Sequence, residues 1–289
     1  MYSGPADVKR VVRPRHPASS KRDFGCLLVV GGSEVYSGAP ALAGMAALRT
    51  GCGLVVVAAP ASVASTIRAY SPNLIVHPLP GNVVGAGCVD ALSKLLESSQ
   101  ALVIGPGIGL SSETRRAIPS IVEAAAHNRQ PILIDADAIR ILADRKSLLR
   151  IANAIITPHA GEFRAISGKD APRGWREKAS MCKNFALENS CIVLLKGHNT
   201  VVSDGYRVKV NRTGNPGMAV GGMGDVLSGI IGAFLAAGSD RFFSAVAGAY
   251  VHGLAGDLVY KRTGFHMLAS DLIEALPAVL RKYDRESRR

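Results

Sequence analysis

Residues 211–238, NRTGNPGMAVGGMGDVLSGIIGAFLAAG, set one carboxylate, Asp225, among glycines and then run into an apolar stretch. Gly221, Gly222 and Gly224 leave backbone N–H groups bare where a helix should begin. The first N–H groups of a helix have no partner inside it. Together with the helix dipole they favour anions, phosphate oxygens above all. An acid in that first turn has two readings. It can cap the helix. It can also act as the base that takes a proton from a hydroxyl attacking phosphorus. The NPGMA segment just before it adds a second turn beside the first.

Other polar or glycine-rich clusters recur along the chain. KGHNT (Lys196, Gly197, His198, Asn199, Thr200) offers a cation and polar groups, or merely a hairpin turn. TPHAGE carries His159 and Glu162; a lone histidine there is more often structural than functional. LIDADAI holds Asp135 and Asp137, readable as a metal pair, although helix capping also explains Asp137. GPGIG (105–109), with Gly107 at its centre, permits the close backbone approach that a pyrophosphate needs. GAPALAG opens a helix whose small residues, Ala43 among them, imply tight packing.

The elements that must position these groups follow from periodicity. CLLVVGG, GLVVVAAP, NLIVHPLP, ALVIGPGIG, PILIDADA, AIITPHAGE and CIVLLKG are short apolar runs, read as strands. Helical patterns separate most of them, including 112–127 and 173–188. Such alternation indicates βαβ units and a parallel sheet. TVVSDG and YRVKVN read as a hairpin around Asp204-Gly205, and from Gly221 the chain is helical almost to its end. In open parallel sheets ligands bind at the carboxyl ends of strands. GGSEVYSGA, GPGIG, DADA, TPHAGE and KGHNT all fall there.

Composition bounds the rest. The 289 residues are 48% hydrophobic and only 5% aromatic, so the core is aliphatic and a single α/β domain over 1–289 is expected. No apolar stretch reads as a membrane span, and the basic N-terminus lacks the apolar core of a secretory signal, so a cytoplasmic protein is expected. Residues 1–22 read as a frayed basic segment. The net charge of +12 gathers mainly at the two ends, with no nucleic-acid motif between them. Attraction of a phosphorylated small molecule fits it better than nucleic acid. Five cysteines without a CxxC are read as reduced and mostly buried.

GNPGMAVGGMGDVLSGIIGAFLAAG resembles the anion-hole motif of the ribokinase-like superfamily. With TPHAGEF, LIDADAI, GPGIG and VLLKGHNTVV in the same order, nearly the whole chain resembles the ADP- or ATP-dependent NAD(P)H-hydrate dehydratases. The resemblance implies a three-layer α/β/α fold and a coenzyme-repair reaction on the S-epimer of NADHX or NADPHX. In that reaction a nucleotide phosphorylates the ring hydroxyl and phosphate then leaves. It implies Asp225 as catalytic base and Gly222, Met223 and Gly224 as anion hole. Lys196 to Thr200 and Gly224 would bind nucleotide. Ala43, Gly107, His159 and Asp225 would bind the hydrate. ADP is the favoured donor, with Mg2+ as cofactor; Glu162 and Asp135 are weak metal candidates. A homotetramer is implied. Met223 stands where relatives often carry Thr or Ser, so the hole would rest on main-chain donors. No epimerase domain is expected. The alternative is a small-alcohol kinase of the hydroxyethylthiazole or pyridoxal type.

Overall fold

Leu27 and Val29 of strand β1 (Cys26–Val30) pack into one apolar cluster, and Leu28 and Val30 into another. All four are fully buried. Side chains alternate along a strand, so a strand apolar at every position must be covered on both faces. The same holds for β2 (Leu54–Pro60), β4 (Ala101–Ile104), β5 (Ile132–Ile134), β6 (Ile155–Ile156) and β7 (Ile192–Leu195). β3 (Ile75–Leu79) closes one edge, and the hairpin β8 (Thr200–Ser203) and β9 (Val208–Asn211) the other.

This computed structural model describes residues 2–286. Its sheet runs β3-β2-β1-β4-β5-β6-β7-β8-β9. Pairing is parallel from β3 to β7 and antiparallel through the hairpin. The helices are α1 (Pro5–Val11), α2 (Gly38–Thr50), α3 (Ala61–Tyr70), α4 (Val89–Glu97), α5 (Ser112–His127) and α6 (Asp137–Ile141), then α7 (Ser147–Ala152), α8 (Ala160–Ser167), α9 (Trp175–Asn189), α10 (Met223–Ala236), α11 (Arg241–Thr263) and α12 (Ala269–Leu280). One core cluster draws on α4, α5 and α9, the other on α2, α3, α10 and α11. The result is a three-layer α/β/α fold. The chain reverses its direction of sheet growth between β1 and β4.

The expectation of a frayed N-terminus is corrected. Val8 and Val11 of α1 are buried in a third apolar cluster with α10, α11 and α12. Asp7 pairs with Lys209 at 3.0 Å, and the Ser3 N–H donates to the Val210 carbonyl at 3.0 Å. The charged residues of this segment hid a short amphipathic helix. The basic C-terminal run ends in 287–289, outside the described residues. α11 is long and apolar enough to cross a membrane, but two-thirds of its apolar window is buried in the protein, where it serves as a core helix. All five cysteines are free; four are buried, and burial pushes the Cys182 and Cys191 thiols up to about 12, far from a nucleophile's range.

Candidate active site

Gly222 ends the loop before α10 in the left-handed region, at φ 89°. A side chain there would strike Leu42 of α2 and Ala269 of α12 as well as strain the backbone. The helix thus begins without a side-chain cap, and its first N–H groups stay free of one. Asp225 is the third residue of α10 and makes no capping bond, so the capping reading does not hold.

Beneath it lies a buried polar knot. Asp135 follows β5 and is 1% exposed. Its Oδ1 accepts from Thr157 Oγ1 at 2.7 Å and from Lys196 Nζ at 3.0 Å, and its Oδ2 accepts from Ser228 Oγ at 2.6 Å. Ser228 is one turn beyond Asp225, so α10 presents both on one face. Lys196 leaves the end of β7 and also lies 3.8 Å from Glu162 Oε2. A Cβ placed on Gly224 would sit 3.4 Å from Lys196 Nζ and 3.9 Å from Asp135 Oδ2. The glycine-rich turn therefore lies directly over the ion pair.

Electrostatics follow from this packing. Burial pushes the Asp225 carboxyl up, and the Asp135 charge adds to it; Lys196 opposes them, Glu162 reinforces them, and the result is about 7. Burial would also raise Asp135, but the Lys196 charge and the hydrogen bonds it accepts outweigh burial and hold it below the usual range. For Lys196 burial works downward, yet Asp135 and Glu162 overcome it and keep the ammonium charged.

A cavity of about 820 Å³ opens over these groups. Asp135, His159, Lys196, Gly197, His198, Thr200 and the Gly222–Asp225 turn all line it. The other expected site residues fall elsewhere. Asn199 is outside the lining; its carbonyl accepts from Lys178 Nζ at 3.4 Å. Gly107 sits at the β1/β4 reversal, against Tyr36 and Ala39. Ala43 is fully buried where α2 meets α10. The two aspartates expected as a metal pair have separate partners. Asp135 is occupied by three donors, and Asp137 pairs with Arg140 at 3.7 Å. Nor does Asp137 cap its helix: Ala136 holds that position.

HAGE proves to be a capping box. His159 Nδ1 accepts from the N–H groups of Gly161 and Glu162 at 3.0 and 3.2 Å, and the Glu162 carboxylate accepts from the His159 N–H at 2.8 Å. His159 is thus structural at Nδ1 while its exposed face borders the cavity. Sequence reasoning missed Thr157, Ser228, His252 and Asp257. For Ser228 the three-residue spacing from Asp225 was a usable signal.

The family model for NAD(P)H-hydrate dehydratase matches residues 27–278. The bifunctional NAD(P)H-hydrate repair enzyme of Pyrobaculum aerophilum is 43% identical over 98% of this chain and 56% of its own length. The chain thus spans about half the length of such bifunctional relatives. The ADP-dependent (S)-NAD(P)H-hydrate dehydratase of Cenarchaeum symbiosum is 40% identical over 98% of this chain and 97% of its own. A crystal structure of the ADP/ATP-dependent NAD(P)H-hydrate dehydratase of Bacillus subtilis, co-crystallized with ATP/Mg2+, superposes with a TM-score of 0.81 at 27% identity, over 96% of each chain. A hydroxyethylthiazole kinase from Pyrococcus horikoshii, at 19% identity and a TM-score of 0.67, shares the fold alone. From the family model and these full-length matches, the chain belongs to the NAD(P)H-hydrate dehydratase family.

Proposed function

We propose that this chain dehydrates the S-epimer of NADHX or NADPHX to the reduced coenzyme, with ADP as phosphoryl donor. The observation that carries this reading is Asp225, uncapped and half-buried at the start of α10, with its carboxyl pushed up to about 7. A general base works best when its pKa lies near the working pH.

In this reading the ring hydroxyl of the hydrate lies beside Asp225. Its oxygen attacks the terminal phosphorus of the nucleotide while its proton passes to the Asp225 carboxylate. The phosphorus–oxygen bond to the nucleotide breaks, and the shortened nucleotide leaves. Free N–H groups at Gly222, Met223 and Gly224 would hold the charge on the transferring oxygens, and Lys196 would hold the nucleotide's phosphates from below. The ring nitrogen lone pair then expels the new phosphate ester as inorganic phosphate. Loss of a proton from the adjacent carbon restores the ring double bond.

A magnesium ion accompanies the nucleotide in this proposal. The protein's own residues do not build a site for it. Among the described residues no three His, Cys, Asp or Glu side chains gather as ligands, and Asp135 is engaged. The ion would be held chiefly by phosphate oxygens and water, and no step is assigned to it. The proposal includes a cytoplasmic homotetramer, which light scattering of the purified chain tests.

The deciding experiment incubates the protein with authentic NADHX and ADP or ATP. Absorbance of the reduced nicotinamide and phosphorus NMR are followed together. Reduced coenzyme and inorganic phosphate in equal amounts are expected. A stable phosphomonoester of a small alcohol, with NADHX untouched, would transfer the protein to the kinase reading.

A further inference from the structure

Two turns border the cavity, and each is held from behind by a charged side chain. The loop before the anion hole is held by α11, which also walls the cavity through Ala249, His252 and Gly253. There Asp257 accepts from the Gly214 N–H at 3.0 Å and from Asn215 Nδ2 at 3.1 Å. The KGHNT turn is held by α9. Lys178 Nζ donates to the Asn199 carbonyl at 3.4 Å, and a Cβ placed on Gly197 would lie 3.1 Å from that nitrogen. Thr200 Oγ1 closes the turn on the Gly197 carbonyl at 3.1 Å, and the Lys196 N–H ties it to the Pro158 carbonyl at 2.8 Å. Gly197, His198 and Thr200 line the cavity; Lys178 and Asn199 do not. Lys178 therefore lies behind the turn.

For Asp257 the pairing is complete, a carboxylate on two donors. For Lys178 it is not. The residue is only 9% exposed. Among the described residues the lysine ion pairs belong to Lys196 and Lys209, and Lys178 has none. Its one hydrogen bond is the long one to Asn199. Its own N–H closes the first turn of α9 on the Gly174 carbonyl at 3.0 Å, so its charge sits near the positive end of the helix dipole, where acids are favoured and cations are not. That charge is felt along the helix, where it pulls the Cys182 thiol down against burial. Burial, dipole and the lack of a protein counter-ion all work against the ammonium. An apolar side chain of the same length would carry none of these costs. An anion on the cavity side of the turn offsets all three. Lys196 cannot take that part alone, because Asp135 at 3.0 Å and Glu162 at 3.8 Å already balance it. The uncompensated buried charge at this turn is that of Lys178.

We propose that Lys178 is a positioning residue for the phosphoryl donor: its ammonium fixes the KGHNT turn through Asn199 and places behind that turn the positive charge that draws the nucleotide's phosphates. The inference rests on the reading of KGHNT as the nucleotide side of the cavity, made under the proposed function. It requires no contact between Lys178 and the nucleotide. A charge in a partly buried setting acts across the width of a turn, where water screens it poorly.

The test compares Lys178→Met and Lys178→Arg with the unaltered chain. Calorimetry gives the affinities for ADP and for adenosine, which has the base and sugar without the phosphates. KM for NADHX at saturating ADP and the thermal midpoint without nucleotide are measured alongside. Lys178→Met is expected to weaken ADP about tenfold, the scale of one charge acting across a partly buried site, and adenosine by no more than about twofold. Its KM for the hydrate should stay within about twofold, since that substrate lies on the other side of the cavity. Its midpoint should match or exceed that of the unaltered chain, because a buried unpaired charge has been removed. Lys178→Arg, which keeps the charge, should recover most of the ADP affinity. Equal losses for ADP and adenosine would mean only a deformed turn and overturn the inference. So does unchanged ADP affinity in Lys178→Met, a fall in its midpoint with ADP affinity kept, or an Arg variant as weak as the Met variant. If the unaltered chain binds neither ADP nor ATP, the nucleotide reading of KGHNT fails and the inference falls with it, a result distinct from a failure at Lys178.

Discussion

Asp225 carries the chemistry proposed here, and its environment sets two opposite expectations. Asp225→Asn keeps the shape and removes the proton acceptor. Turnover should fall at least about a hundredfold, the lower range for general-base catalysis, while ADP affinity holds. Stability should move the other way. The folded carboxyl is raised from 3.8 to about 7, so the native state keeps a proton that the unfolded chain has released. Stability therefore declines as pH rises from about 4 to about 7 and stays at its lower value above that. The Asn variant has no such decline. Its thermal midpoint at pH 8 should equal or exceed that of the unaltered chain, with a smaller margin at pH 5. The pH profile adds a further check. kcat/KM should climb toward a plateau above about pH 7 as Asp225 ionises. Asp135→Asn removes the neighbouring charge that helps hold that value up, so the climb should shift to lower pH. A profile that stays in place would detach Asp225 from the rate.

At the scale of elements, the site depends on how closely α10 lies on α2. Gly229 faces the Ala43 carbonyl, and a Cβ there would collide with it and with Ala46. Helix propensity alone favours Ala over Gly by about 1 kcal/mol. The clash is with backbone and cannot rotate away, so it should win. Gly229→Ala is expected to cost about 1–3 kcal/mol in urea unfolding. Most elements were legible from apolar period. The helix read at 112–127 is Ser112–His127, and the hairpin turns at Asp204-Gly205 as its residues suggest. Besides α1, read as a frayed end, two further helices were not legible. α3 is rich in Ala and Ser, with Val63 and Ile67 its only aliphatic residues larger than alanine. α8 was hidden because TPHAGE read as the end of a strand. That strand pairs over only Ile155–Ile156, and His159 was not recognised as a cap because histidine is an uncommon one. The site residues legible in sequence sit in glycine-rich or charged loops. Ser228 and His252 lie inside otherwise apolar helices, and Thr157 lies just past β6; their roles became visible only when packing gathered them. HGLAGD on α11 did hold a signal, since His252, Gly253, Gly256 and Asp257 fall on one helical face.

For the molecule as a whole, the N-terminal segment belongs to the fold. Deleting residues 2–12 removes the buried Val8 and Val11 and the Asp7–Lys209 pair. A loss of about 3 kcal/mol is expected from the two valines alone, measurable as a lower urea midpoint. The same segment has a second effect, on crowding. β9 would be an open rail of unpaired peptide groups, but Tyr2 bridges to Val210 and the Ser3 N–H takes the Val210 carbonyl. At the far side β3 carries Pro78, which has no N–H to offer. Open rails are where sheets of neighbouring chains zip together into aggregates. With one rail occupied and the other short of a donor, copies of this protein at high concentration find little backbone to add to.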